Sequence, residues 1–429
     1  MRKQFRVLVI LTFIAFASIV VCPMRVKAAD KVISFSDKNM YDAMKSQLKD
    51  KIISSDDSNQ SITMTEEEID NTKALYISKK NIVDLSGIEN FTSLETLDIS
   101  GNHVTSIEKI PGENLKSLEL SYIEEISDFK CIENYSNLYS ISVDESVLEE
   151  FPESIKKIAS HISYIEWSNG MLKTTAWVRD FPKLMGLRLE NNQISSLENI
   201  STLHELKSLD LSGNEIDNLD EVGKCTELYS LDINDNYVTD LNGISGLLLT
   251  TLNAANNKLT DISALNLGKL SYLDVSNNSI SDFDNIKDVA VDKSFKISGQ
   301  LIKIDVNSGD KAGLPKLIEQ GKNFLGSNDI ETLNCRIVDN SKCEIDESVT
   351  YARIKINDGA LKDSMVYFNV TNVQTPGVTG KTINFTKTHI VVISEVLFIM
   401  IISVFIVANI KNKSNSGSTK DNKKTEDKK

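Results

Sequence analysis

The sequence predicts an α/β solenoid of short parallel strands, closed by an N-terminal helical cap and followed by a small β-sandwich and one transmembrane helix. Three observations predict it. An apolar pattern recurs every 21 or 22 residues through the middle of the 429-residue chain. Apolar runs with basic flanks stand near both ends. Between the last repeat and the second apolar run, the pattern changes to simple alternation.

Residues 1–28 read as a secretory signal. Arg2, Lys3 and Arg6 supply the positive start, Val7–Val21 the apolar run, and Val26 and Ala28 the small residues before a cut after Ala28. Residues 29–70 form the expected cap. Met40, Met44 and Leu48 fall on one face of a helix, and Thr65-Glu66-Glu67-Glu68-Ile69 is a capping-box start.

The repeats occupy residues 71–294. Leu184, Leu187, Leu189, Asn192, Ile194, Leu197 and Ile200 set the template. Copies follow with asparagines at 214, 236, 257 and 278, and an upstream copy carries Asn102. Between them lie weaker copies, with Ser146 and Gly170 in the asparagine position. The Leu-x-Leu core is one face of a short strand, whose alternate residues point away from the core. An asparagine amide both donates and accepts, so it can bond the backbone of its own turn and of the neighbouring coil. Asn102, Asn192, Asn214, Asn236, Asn257 and Asn278 are therefore expected to stack as a ladder. One unit cannot bury enough surface to offset the entropy of ordering it, so stacking is obligatory.

This pattern resembles leucine-rich repeats, and more closely the internalin-like surface proteins of bacteria, whose repeats are of the 22-residue class. The helical cap before Asn81-Ile82-Val83-Asp84-Leu85 is similar to theirs. The resemblance implies a protein-binding role at the cell surface of a Gram-positive bacterium. It also implies an immunoglobulin-like domain after the repeats, assigned to residues 295–374. Alternation points the same way: Ile302, Ile304 and Val306 read as one strand, Ala352, Ile354 and Ile356 as a second, and Val366, Phe368 and Val370 as a third. Asn357-Asp358-Gly359 marks the turn between the last two. Cys335 and Cys343, eight apart, either close a disulfide or stand as two free thiols.

Residues 375–388 read as a linker. Residues 389–410 are apolar apart from Glu395 and a few polar residues, long enough to span a hydrocarbon core of about 30 Å. Residues 411–429 carry seven lysines, which place that end in the cytoplasm and the N-terminal region outside. No wall-sorting Leu-Pro-x-Thr-Gly motif precedes the span, so the expected attachment is the helix itself.

The net charge of −14 argues against nucleic-acid binding. Four histidines and five cysteines, all scattered, offer neither a metal set nor a catalytic constellation. No enzyme activity, cofactor or metal is expected. The outward strand positions line the expected concave face, about 40 Å long over nine rungs. Asp98, Glu119, Glu166, Arg188, Glu190, Asp210, Asp232, Asn234 and Asp274 are its candidate ligand-binding residues. Their acidity favours a protein or peptide partner of basic character. The alternative role is an envelope component that organises neighbouring membrane or wall proteins.

Overall fold

A computed structural model describes residues 30–371, apart from 124–125, 287–293, 308–310, 324–328, 340 and 347–348. The expected signal, linker, membrane span and basic tail lie outside the described residues. Among the described residues no helix is long and apolar enough to cross a membrane.

The chain opens with β1 (Asp30–Ser34), α1 (Lys38–Gln47), β2 (Ser54–Asp56), β3 (Ser61–Thr65) and α2 (Glu66–Asp70). Met40, Met44 and Leu48 are buried together as the helical spacing requires. The Thr65 hydroxyl accepts the Glu68 N–H at 3.1 Å, capping α2. The cap is not helical alone, for β1, β3 and β2 form an antiparallel three-stranded sheet. Only one residue of β1 is buried and none of β2, so neither strand leaves an alternating signature.

Eleven parallel strands follow, each paired with the next in chain order. They are β4 (Ala74–Tyr76), β5 (Thr96–Asp98), β6 (Ser117–Leu120), β7 (Ser140–Asp144), β8 (Tyr164–Ser168), β9 (Gly186–Arg188), β10 (Ser208–Asp210), β11 (Ser230–Asp232), β12 (Thr251–Asn253), β13 (Tyr272–Asp274) and β14 (Phe295–Lys296). The register puts Leu75, Leu97, Leu118, Ile141, Ile165 and Leu187 in one buried column, which continues through Leu209, Leu231, Leu252, Leu273 and Phe295. One-turn 3-10 helices such as Ile88–Asn90, Ile200–Thr202 and Val222–Lys224 carry the chain back from several strands. Between β7 and β8 the return is instead a short α-helix, α3 (Glu153–Lys156). There Phe129, Phe151, Trp167, Trp177 and Phe181 pack together, with Phe151 stacked on Trp177 at 3.8 Å. Bulky rings fill the core where Ser146 and Gly170 interrupt the asparagines.

The asparagine amides run along the inside of the turns. Asn214 accepts the Ile194 N–H at 3.0 Å and donates to the Leu189 and Leu211 carbonyls, both at 2.9 Å. Asn102, Asn192, Asn236, Asn257 and Asn278 make the same bonds at their own rungs. The series does not stop at the expected repeat end, residue 294. Gln300 accepts the Ile280 N–H at 2.9 Å and donates to the Val275 and Ile297 carbonyls. Its longer side chain reaches the same groups.

The residue just before each ladder position is left-handed. Lys79, Gly101, Tyr122, Glu145, Asn169, Asn191, Gly213, Asp235, Asn256, Asn277 and Gly299 all have φ between 50° and 69°. The strand must reverse there, and glycine and asparagine tolerate that conformation best. A second, outer ladder joins some of these side chains, as where Asn191 donates to Asn169 at 2.8 Å and Asn277 to Asn256 at 2.7 Å.

Beyond β14 come β15 (Leu301–Asn307), β16 (Lys311–Gly313), α4 (Lys316–Asn323), β17 (Ile330–Leu333), β18 (Cys335–Asp339), β19 (Lys342–Ile345), β20 (Tyr351–Ile356) and β21 (Met365–Thr371). The described residues divide into two compact units. The first comprises 30–302, 315–331 and 355–365, and the second 303–314, 332–354 and 366–371. The three alternating segments do form strands, β15, β20 and β21, within a sheet of order β15–β21–β20–β17. The expected start at 295 is too early, because Phe295–Lys296 belongs to the repeat sheet. Beyond it a helix stands among the strands, which form two sheets, β15–β21–β20–β17 and the antiparallel β16–β19–β18. Pro315, which lacks an N–H, stands just before α4, where helices accept proline.

Cys335 and Cys343 are free thiols. The β18–β19 register sets Cys335 opposite Ile345 and Cys343 opposite Ile337, so the two lie on a diagonal and not face to face. Burial pushes the Cys343 thiol up to about 12.

Candidate binding face

The strands place one residue each in a column on the outward face. In register these are Tyr76, Asp98, Glu119, Ser142, Glu166, Arg188, Asp210, Asp232, Asn253, Asp274 and Lys296. Seven of the nine candidates stand in this column. Glu190 and Asn234 lie two residues further along their chains, beyond the strand ends. Tyr76 and Lys296 close the column at its two ends and carry no acidic signal. Lys296 was nevertheless legible, because Phe295-Lys296-Ile297 keeps the apolar-x-apolar core 22 residues after Leu273-Asp274-Val275.

The four aspartates of the column have a local task. Each strand ends where its chain turns, and the carboxylate accepts the N–H two residues on. Asp98 takes Ser100 at 2.9 Å, Asp210 takes Ser212 at 3.1 Å, Asp232 takes Asn234 at 3.0 Å and Asp274 takes Ser276 at 3.1 Å. Ser212 and Ser276 add their hydroxyls to the same oxygens. Aspartate at this position is therefore part of the turn as well as part of the surface. Asparagine preserves the bond, as Asn253 does for Ala255 at 3.3 Å; lysine would not.

Charge is balanced unevenly. The Arg188 guanidinium lies 2.7 Å from Glu190, 3.3 Å from Asp210 and 3.7 Å from Glu166. The bond to Glu190 outweighs burial and raises the Arg188 pKa further. Asp232 takes amide N–H bonds from Asn253 at 2.9 Å and Asn234 at 2.6 Å. Lys296 reaches Asp274 at 3.2 Å and the Tyr272 hydroxyl at 3.1 Å, and these bonds raise its pKa. Burial raises the Asp210 carboxyl pKa, against the pull of the Ser212 bonds. Burial also raises Glu119, with Glu166 and Asp98 adding repulsion.

Tyrosines border this face. Tyr164, in β8, is exposed and meets the Tyr139 ring edge-on at 6.5 Å. Gly186 makes room for it, since a Cβ there would come within 2.7 Å of the Tyr164 ring. No group of three metal-ligating side chains forms among the described residues.

Residues 206–246 and 248–288 match the family model of leucine-rich repeats, two copies per match. A search of curated proteins finds no match. Among solved structures, an internalin from Listeria monocytogenes, InlF, is similar at 25% identity, with a TM-score of 0.53. That alignment covers 63% of this chain and 78% of the internalin. InlP from Listeria monocytogenes aligns at 16% identity over 79% of this chain and 96% of its own, with a TM-score of 0.50. The parallel sheet is that of a leucine-rich-repeat solenoid, and the fold is of internalin type.

Proposed function

We propose that the chain is a protein-binding scaffold of a bacterial cell surface, which engages a protein or peptide through the outward face of its eleven-stranded sheet. The uninterrupted column of polar side chains on a sheet of fixed register carries this reading. Such a face holds many contact groups in rigid relative positions, which lowers the ordering cost of binding. The internalin-type fold supports the same role, and the acidity of the column favours a partner of basic character. The apolar run at 389–410 supplies the membrane anchor in this reading, with the N-terminal region outside.

Site-specific photocrosslinking on intact cells tests it. A crosslinker replacing Ser142 or Ser230, on the sheet face, should capture a discrete partner. One at Ser201 or Lys224, on the returning turns, should not. Capture from the turns alone would sink the reading. Because the aspartates bond the backbone, the accompanying variants should be Asp→Asn at 210, 232 and 274, which remove charge and keep the turns.

A further inference from the structure

We propose that the N-terminal half of the outward face, strands β4–β8, is where the partner docks, and that it receives an extended, arginine-bearing segment of that protein. This rests on the reading of the face as protein-binding and narrows it to one half and one chemistry.

The two halves differ in how their carboxylates are answered. Downstream, Arg188 serves Glu190 and Asp210, Lys296 serves Asp274, and two asparagine amides serve Asp232. Upstream, Asp98 and Glu119 stand on neighbouring strands with Tyr76 on one side and Ser142 on the other. No basic side chain pairs with either among the described residues: Asp98 accepts only the Ser100 N–H, and Glu119 is met only by the neutral side chains of Ser142 and Ser117. Glu166 reaches Arg188 only at 3.7 Å.

The C-terminal rung displays how this surface holds a cation. Lys296 sits between the Tyr272 ring, 5.3 Å from its centroid, and the Asp274 carboxylate. Strand β8 repeats that pair as Tyr164 and Glu166, two residues apart on the same face. The next strand offers Arg188, but its shortest contacts go to Glu190 and Asp210. No cation lies over the Tyr164 ring among the described residues. Tyr164 and Tyr139 are each 44% exposed and Tyr76 is 60% exposed. Upstream, then, rings and carboxylates stand ready and the cation must come from elsewhere. Arginine fits best, because its planar guanidinium stacks on tyrosine and forks to a carboxylate at once. Aromatic anchors beside charged groups near the middle of a surface are also where binding energy concentrates.

The test uses the full chain and three fluorescent nine-residue peptides, with arginine, lysine or glutamate at alternate positions, followed by anisotropy at physiological salt. The arginine peptide should bind tightest. The double variant Asp98→Asn/Glu119→Gln should weaken it at least tenfold and Tyr164→Ala at least threefold. Asp210→Asn/Asp274→Asn should change it less than twofold. Thermal melts of each variant establish that it is folded, and the single variant Glu119→Gln, which removes no turn bond, should alone weaken binding severalfold. Equal losses from the two halves overturn the proposal, as does binding of the glutamate peptide as tightly as the arginine peptide. In either case crosslinking from the sheet face would still uphold the broader reading; crosslinking confined to the turns would sink both.

Discussion

A single amide decides much of the stability of each coil. Asn214 satisfies one buried N–H and three carbonyls, all within the interior of the turn. Asn214→Ala leaves the Ile194 N–H without a partner, which should cost about 2–3 kcal/mol. A urea titration followed by circular dichroism measures it; an unchanged midpoint would show that the ladder is not holding the coils. The asparagines were legible in the sequence because they recur at fixed spacing among leucines. The left-handed position before each was not, because Lys79, Tyr122 and Glu145 occupy it in three rungs and none is a turn-forming residue type. Tyr122→Asn should therefore stabilise the protein by about 0.5–1 kcal/mol, by relieving a φ of 58° on a bulky side chain. A raised melting midpoint is the expected readout.

Elements join through equally few contacts. One oxygen of Asp37 caps α1 by accepting the Asn39 N–H at 2.7 Å, and the other accepts the Val83 N–H at 2.6 Å and Asp84 at 3.1 Å. Asp37 thus fastens the cap to the first coil. Asp37→Ala should cost about 2–3 kcal/mol, one share for the lost cap and the rest for the unanswered amides. Hydrogen exchange at Val83 and Asp84 should quicken in that variant, while exchange in the central strands stays slow. At the other end α4 does similar work. Gln320 is buried, accepts the Phe283 N–H at 2.8 Å and donates to Asp282, while Lys316 reaches Asp282 at 2.7 Å and Asp284 at 2.9 Å. Neither closure was legible. Helix α1 showed its apolar face, but the cap strands bury too little to show alternation. Residues 316–323 lie between segments whose alternation pointed to strands, and β14 carries only a weak copy of the repeat, its apolar-x-apolar core kept but phenylalanine and glutamine in place of leucine and asparagine. The long repeat was readable because eleven similar rungs reinforce one pattern, whereas each end is built once.

For the molecule as a whole, two sets of carboxylates pull stability in opposite directions with pH. Glu119 and Asp210 have raised pKa values, chiefly from burial. Folding penalises their charged forms, so stability should rise as the pH falls from neutrality through those raised values. Asp37 and Asp282 run the other way. Burial opposes their ionisation, but four backbone bonds at Asp37, and the Lys316 and Gln320 bonds with a backbone bond at Asp282, lower both below the usual 3.8. Their contribution is present above 3.8 and is lost as the pH falls through the lowered values. Calorimetric melting points should therefore peak in mildly acidic buffer and drop below about pH 4. Glu119→Gln should flatten the neutral side of that curve and leave the acid side unchanged. The ladder has a direction as well. Apart from its bonds to its own coil, each of the six ladder asparagines, and Gln300, bonds the coil before it, as Asn214 does with Ile194 and Leu189 and Gln300 with Ile280 and Val275. A coil emerging from the ribosome therefore meets its amide partners already in place, and the solenoid can close behind the growing chain in the order in which it is synthesised.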